Sequence, residues 1–172
     1  MFIKTNRLHL RPINEEDLIA FHALQSNPEV SKWTSQDPSP NLEKSSARLD
    51  DLLISLNISP PSHPLIVLAI TISPSPNLIG LVGTFRPREI GYSLLPEFWG
   101  KGYAQEACRG FCKRYLECYP GQQLFAKVDP RNGASVGCLR RCGFTIASVE
   151  EGRAEDFVGV LGEMETWLLR VL

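Results

Sequence analysis

The chain has 172 residues, 43% of them hydrophobic and 22% charged, which is enough for one domain with a sizeable core. Eighteen basic and nineteen acidic residues leave a formal net charge of -1, so no large field favours nucleic acid or an anionic membrane as a partner. The most apolar run, Leu65 to Ile72, is far shorter than a membrane span, and the charged opening from Met1 to Pro12 does not read as a signal peptide.

Arg7 to Pro12 alternates polar and apolar residues and predicts a first, half-buried strand. Asn14 followed by Glu15, Glu16 and Asp17 predicts a capped helix start, with Leu18, Phe21, His22 and Leu24 as the apolar face and an end before Asn27-Pro28. Trp33 to Pro40 reads as loop. From Asn41 the leucines at 42, 49, 52, 53 and 56 recur at helical spacing until Ser59 to Pro64 breaks the pattern. Leu65 to Ile72 and Leu78 to Phe85 predict a hairpin, and Arg86-Pro87-Arg88 leads tightly into a fourth strand from Glu89 to Leu95.

The second half alternates strand and helix. Ala104, Ala107, Cys108, Phe111, Cys112, Tyr115 and Leu116 predict an amphipathic helix, and Gln123 to Val128 a fifth strand. Asn132 to Cys142 predicts a helix closed by Gly143, followed by a strand from Thr145 to Val149. Glu151 to Gly162 reads as an acidic loop, and Glu163 to Leu169 as a last strand. The pattern predicts one α/β domain over residues 1–172, with about seven strands in a mixed sheet and about four helices.

Five cysteines, an odd number, point to a reducing compartment, and the expected location is cytoplasmic. Cys108 and Cys112, like Cys138 and Cys142, are four apart within a predicted helix. They are expected to be buried small hydrophobes on one helical face, not a four-thiolate metal site, and no metal is expected.

The segment Ile90 to Ala104 carries the chemistry. A strand ends at Pro96, glycines follow at 100 and 102, and a helix begins at once. Glycine lets main chain approach a ligand closely, and the unpaired amides of a helix start together with its dipole form an anion site. Lys101 adds positive charge beside a phosphate. A dinucleotide-binding oxidoreductase is the first rival, but it needs a third glycine where Gln105 stands and an acid where Gln122 and Gln123 stand.

The phrase Glu97-Phe98-Trp99-Gly100-Lys101-Gly102 resembles the hallmark turn of the GCN5-related N-acetyltransferase (GNAT) superfamily, although the first hallmark position is Glu97 and not Gln or Arg. Trp99 to Ala104 followed by Glu106-Ala107 is similar to the branch that acetylates ribosomal-protein N-termini. So are the opening Thr5 to Pro12 with Glu16-Asp17-Leu18, and Asn132 to Ser135 leading to Cys142-Gly143-Phe144. The resemblance implies a GNAT fold whose mostly antiparallel sheet is splayed between the fourth and fifth strands. It implies acetyl transfer from acetyl-CoA, the acyl-donor cosubstrate, to a primary amine of a protein N-terminus, polyamine or small molecule. In that family the amine attacks directly, through a tetrahedral intermediate; a monomer or homodimer fits the resemblance.

The resemblance assigns cofactor contacts to Tyr92, Ser93, Leu94, Trp99, Gly100, Lys101, Gly102, Tyr103, Ala104 and Asn132, with the oxyanion donor near Leu94. Glu89 is the candidate general base, acting through water, and Ser135 the candidate proton donor to the leaving thiolate. Each has a plainer alternative: Glu89 as a solvated strand-end acid, Ser135 satisfying a first-turn backbone group, and Asn132 as a helix N-cap. Glu163 and Glu165 are lesser candidates for the base, Trp33 and Tyr92 for the acceptor pocket, and no histidine is assigned a role. The tyrosine that many relatives carry seven residues after the asparagine is Leu139 here. This departure, with Glu97, keeps open a second reading, a non-catalytic acetyl-CoA-binding sensor.

Overall fold

The computed structural model describes residues 1–34, 36–62, 64–146 and the strand at 165–169. A two-residue strand β1 (Ile3–Lys4) turns back into β2 (Leu8–Pro12), and a short 3-10 turn (Glu15–Asp17) leads into α1 (Leu18–Ser26). The Asn14 amide donates to the Asp17 carboxylate at 3.0 Å, and Arg11 grips the same carboxylate through two hydrogen bonds, so this entry is held from both sides. A four-residue helix α2 (Pro28–Ser31) follows immediately. Asn27 caps it and Pro28, with its φ preset, opens it. The periodicity had no room to reveal so short a helix. Helix α3 (Leu42–Ile58) starts where expected, with Asn41 Oδ1 accepting from the Lys44 amide at 2.8 Å.

Strands β3 (Ile66–Ile72), β4 (Leu78–Arg86) and β5 (Glu89–Leu94) form an antiparallel meander, and α4 (Tyr103–Cys118) connects β5 to β6 (Phe125–Val128). Then come α5 (Gly133–Arg141), β7 (Phe144–Ile146) and β8 (Glu165–Leu169). Gly143 sits after α5 at φ 94°, the left-handed conformation expected of a helix-terminating glycine. Among the described residues the sheet runs β1-β2-β3-β4-β5-β6-β8-β7, one strand more than expected because Ile3–Lys4 is too short for periodicity to reveal. The expected loop at 151–162 and Glu163 lie outside the described residues.

Strand β3 is buried along its length because the sheet is covered on both faces. Val67 and Ala69 pack with Phe21, Leu24, Leu49 and Leu81 under α1 and α3, while Leu68 and Ile70 pack with Leu8, Leu10, Phe111 and Tyr115 under α4. Each fully buried Leu, Ile or Phe stabilises the fold by roughly 1.5–3 kcal/mol relative to exposure. That double cover holds β5 in place even where one of its edges has no partner strand. Among the described residues no helix is long and apolar enough to cross a membrane.

Candidate active site

Strands β5 and β6 are parallel and meet at one register pair, Glu89 with Phe125, where the Phe125 amide donates to the Arg88 carbonyl at 3.1 Å. Beyond that point they part. In an antiparallel ladder alternate residues direct both main-chain groups at the neighbouring strand. The Leu95 amide bonds the Ile79 carbonyl at 2.9 Å while Leu94 lies opposite Gly80, so Gly91 and Ser93 bond β4. The main chains of Tyr92 and Leu94 therefore face the gap. The Leu94 carbonyl accepts from Trp99 Nε1 at 2.7 Å, which leaves the Leu94 N–H as the group directed into the opening. Side chains alternate too: Ile90, Tyr92 and Leu94 face α4 and α5, and Glu89 and Ser93 face the opposite side.

The chain then runs through a 3-10 turn (Pro96–Phe98) to Gly100 and Gly102, whose φ angles are 72° and 79°. Both are left-handed, so the glycines are required by conformation. A Cβ at Gly100 would meet nothing within 4 Å, so this stretch of main chain is open to a ligand. The first hydrogen bond of α4 runs from the Glu106 amide to the Gly102 carbonyl at 3.0 Å. The amides of Tyr103, Ala104 and Gln105 thus have no intrahelical acceptor and stand at the positive end of the dipole. These groups fit a diphosphate.

The turn is clamped from behind by the short connection between β1 and β2. Glu106 accepts from the Thr5 hydroxyl at 2.6 Å, the Arg7 amide at 2.7 Å and Arg7 Nε at 2.7 Å. Arg7 Nη1 donates to the Lys101 carbonyl at 3.0 Å, and its guanidinium stacks 4.6 Å from the Tyr103 ring centroid. Burial alone would push the Glu106 carboxyl up, but the Thr5 hydroxyl and the three kinds of contact with Arg7 outweigh it and hold the carboxyl below its ordinary value. A carboxyl depressed in the folded state contributes stability above its unfolded value and loses it as pH falls through the folded one. Thermal melts should therefore show an acid limb beginning near pH 4.5 that Glu106→Gln flattens. An unchanged limb in the variant would remove this clamp from the acid stability of the fold.

Glu89 stands at the vertex where the strands part. Its side chain is 13% exposed, Oε1 accepts from Arg86 Nη1 at 3.0 Å, and Oε2 is buried with no hydrogen-bond partner among the described residues. Lys127 of β6 is close enough for Glu89 to favour its charged form, yet burial dominates and holds its ammonium below the ordinary lysine value. Across the gap Asn132 caps α5 by accepting from the Ser135 amide at 3.1 Å. The Ser135 hydroxyl lies 2.9 Å from the Tyr92 hydroxyl. Burial pushes the Tyr92 phenol well up, with the neighbouring Cys138 acting in the same direction. Leu139, at the place of the missing tyrosine, is buried.

One cleft of about 1020 Å³ runs through the splay, and Glu89, Tyr92, Ser93, Leu94, Trp99, Gly100, Gly102, Tyr103, Ala104, Asn132 and Ser135 all line it. Its volume is at the upper end for small-molecule sites, room for an extended ligand and a second reactant together. Lys101 is the exception among the expected site residues: its Nζ lies 5.6 Å from the Phe98 ring centroid and does not line the cleft. Trp33 lines the cleft as well. Glu165 lies opposite Val128 on β6, but Glu163 is outside the described residues.

A family model described as an acetyltransferase (GNAT) domain matches residues 7–145. The chain belongs to the GNAT acetyltransferase family. It is 28% identical over 166 residues to a protein described as uncharacterized N-acetyltransferase p20 of Bacillus licheniformis, covering 93% of this chain and 89% of the relative. The fold is similar to RimL, a ribosomal L7/L12 α-N-protein acetyltransferase solved with coenzyme A, at TM-score 0.79 and 16% identity, covering 100% of this chain and 98% of that one. An acetyltransferase from Agrobacterium tumefaciens gives TM-score 0.78 at 22% identity, covering 99% and 95%.

As a GNAT enzyme the chain is an acyltransferase, and its family uses acetyl-CoA. Three features of this GNAT site were not assigned from sequence. Arg7 and Glu106 lie in separate segments, and no local pattern pairs residues 99 positions apart. The Trp99 indole was placed in the turn, but its hydrogen bond back to Leu94 depends on how the turn folds. The Tyr92 hydroxyl had no sequence signal pointing it at Ser135. His22 hydrogen-bonds Ser45 at 2.8 Å. Cys108 and Cys138 are buried, and no group of three potential metal ligands occurs among the described residues.

Proposed function

We propose that residues 1–172 form one acetyltransferase domain that moves acetyl from acetyl-CoA to a primary amine by direct attack. The acceptor is a protein N-terminus, a polyamine or a small-molecule amine. The observation that carries this reading is the alignment of main-chain donors along one cleft: the Tyr92 and Leu94 amides on the β5 edge and the open amides at the start of α4. Acetyl-CoA supplies an acetyl thioester, and the protein supplies position and polarity. The α4 amides hold the diphosphate, and the β5 edge pairs with the pantetheine amides as an added strand would. Asn132 at the cap of α5 also contacts the cofactor arm.

The Leu94 N–H receives the negative charge that develops on the carbonyl oxygen, and its carbonyl, tied to Trp99, is kept from opposing that charge. Glu89, at the vertex, takes the amine proton through water. Ser135, across the gap, donates to the sulfur as it leaves. The fold likeness to RimL supports putting peptide N-termini first in a panel of acceptors.

The test is an amine-panel assay of thiol release, run beside thermal melts with coenzyme A. A melting temperature raised by coenzyme A together with amine-dependent thiol release is the expected result. Stabilisation without thiol release from any amine would favour a sensor. No stabilisation at all would sink the cofactor site.

A further inference from the structure

The leucine at 139 removes a hydroxyl from α5, yet a phenol reaches the same stretch of helix from β5. The Tyr92 hydroxyl lies 2.9 Å from Ser135 Oγ and 3.3 Å from the Ser135 carbonyl, one helical turn before Leu139. Two hydrogen arrangements satisfy these distances. In the first, Ser135 donates to Tyr92 and Tyr92 donates to the Ser135 carbonyl. In the second, Tyr92 donates to Ser135 Oγ, and the serine hydrogen is released to point into the cleft. A hydroxyl that accepts a hydrogen bond is polarised into a better donor itself, and the effect is larger in a low-dielectric site. Ser135 and Tyr92 both line the cleft, so the second arrangement has a target there.

We propose that Tyr92 is a positioning residue for acetyl transfer: its hydroxyl donates to Ser135 Oγ, aims the serine hydrogen at the departing sulfur, and supplies from β5 the phenol that α5 lacks. This rests on the reading of Ser135 as the donor to that sulfur. Once the new C–N bond has formed, the C–S bond breaks and its electron pair stays on sulfur. Ser135 donates a hydrogen bond to the thiolate, and the sulfur takes up, in the balance, the proton the amine released. Tyr92 keeps its own proton, because burial disfavours the phenolate. The thiols facing it bring no charge: Cys138 of α5 is held up chiefly by its contact with Cys142, and Cys108 of α4 chiefly by its contact with Cys112.

The experiment titrates the thiol of coenzyme A bound to the protein, read as thiolate absorbance against unliganded protein, in wild type, Tyr92→Phe, Ser135→Ala and the double variant. Donation to the thiolate lowers the pKa of the bound thiol. Tyr92→Phe and Ser135→Ala should each raise it by about one unit, and the double variant should raise it no further. In turnover, Tyr92→Phe should lower kcat about tenfold with the KM for acetyl-CoA within about twofold. A Tyr92→Phe titration identical to wild type while Ser135→Ala shifts would overturn the role of Tyr92 alone. Equal effects of Tyr92→Phe with and without Ser135 would overturn it as well, since Tyr92 would then act independently. A wild-type titration in Ser135→Ala would remove the reading of Ser135, and the proposal with it.

Discussion

Replacing Glu89 with glutamine should lower kcat by about a hundredfold at neutral pH while changing the KM for acetyl-CoA by less than about twofold, the low end of what a positioned general base contributes. Glutamine keeps the shape and the hydrogen bond to Arg86, so the vertex of the splay should fold as before. What it removes is the ability of the second oxygen, buried and without a partner among the described residues, to take a proton. Position is the reason to expect so large an effect. Glu89 is the last residue paired with β6 before the strands part, so its carboxylate is fixed by the sheet where the cleft begins. The variant should lose rate equally for strongly and weakly bound acceptors. A kcat within about threefold of wild type across pH 6 to 9 would remove Glu89 as the base and return attention to Glu165 on β8.

Gly102→Val should raise the KM for acetyl-CoA about a hundredfold and abolish stabilisation by coenzyme A in thermal melts. Gly102 is the N-cap of α4 at φ 79°, a conformation that costs roughly 1–2 kcal/mol for a residue with a Cβ and more for a β-branched one. Relieving that strain rotates the peptides on either side, and with them the amides that open the helix. Since each 1.4 kcal/mol is about tenfold in affinity, losing the aim of two amides accounts for the expected size. Gly100→Ala is the informative companion. Its φ is also left-handed, but a Cβ there meets no protein atom, so most of its added effect should fall on the bound ligand. Coenzyme A stabilising Gly102→Val as strongly as wild type would show that the diphosphate is held elsewhere.

Much of the site was legible because its parts are local. A glycine pair between a strand and an amphipathic helix states its own conformation, and both glycines are left-handed as that reading requires. Asn132 caps α5 in the place where an asparagine before a helical run should. The apolar run at 65–72 indicated a buried strand, and β3 is buried along most of its length. Cys108, Cys112 and Cys138 are buried on helical faces, as a spacing of four that returns to the same side leads one to expect, whereas Cys142 is half-buried at the C-cap of α5. Strand Ile3–Lys4 and helix α2 escaped because two and four residues give no period to detect.

Sequence by itself determined the order of the longer strands and helices, the glycine turn ahead of α4 and the family, since each rests on neighbours along the chain. Tertiary structure alone decided which edge of β5 is open, because that depends on where β6 leaves it. It also decided that Arg7 and Glu106 brace the turn, and that the Tyr92 hydroxyl meets Ser135. Those pairings join residues tens of positions apart. Their geometry is set by the twist and packing of a whole sheet, which no spacing in the chain encodes.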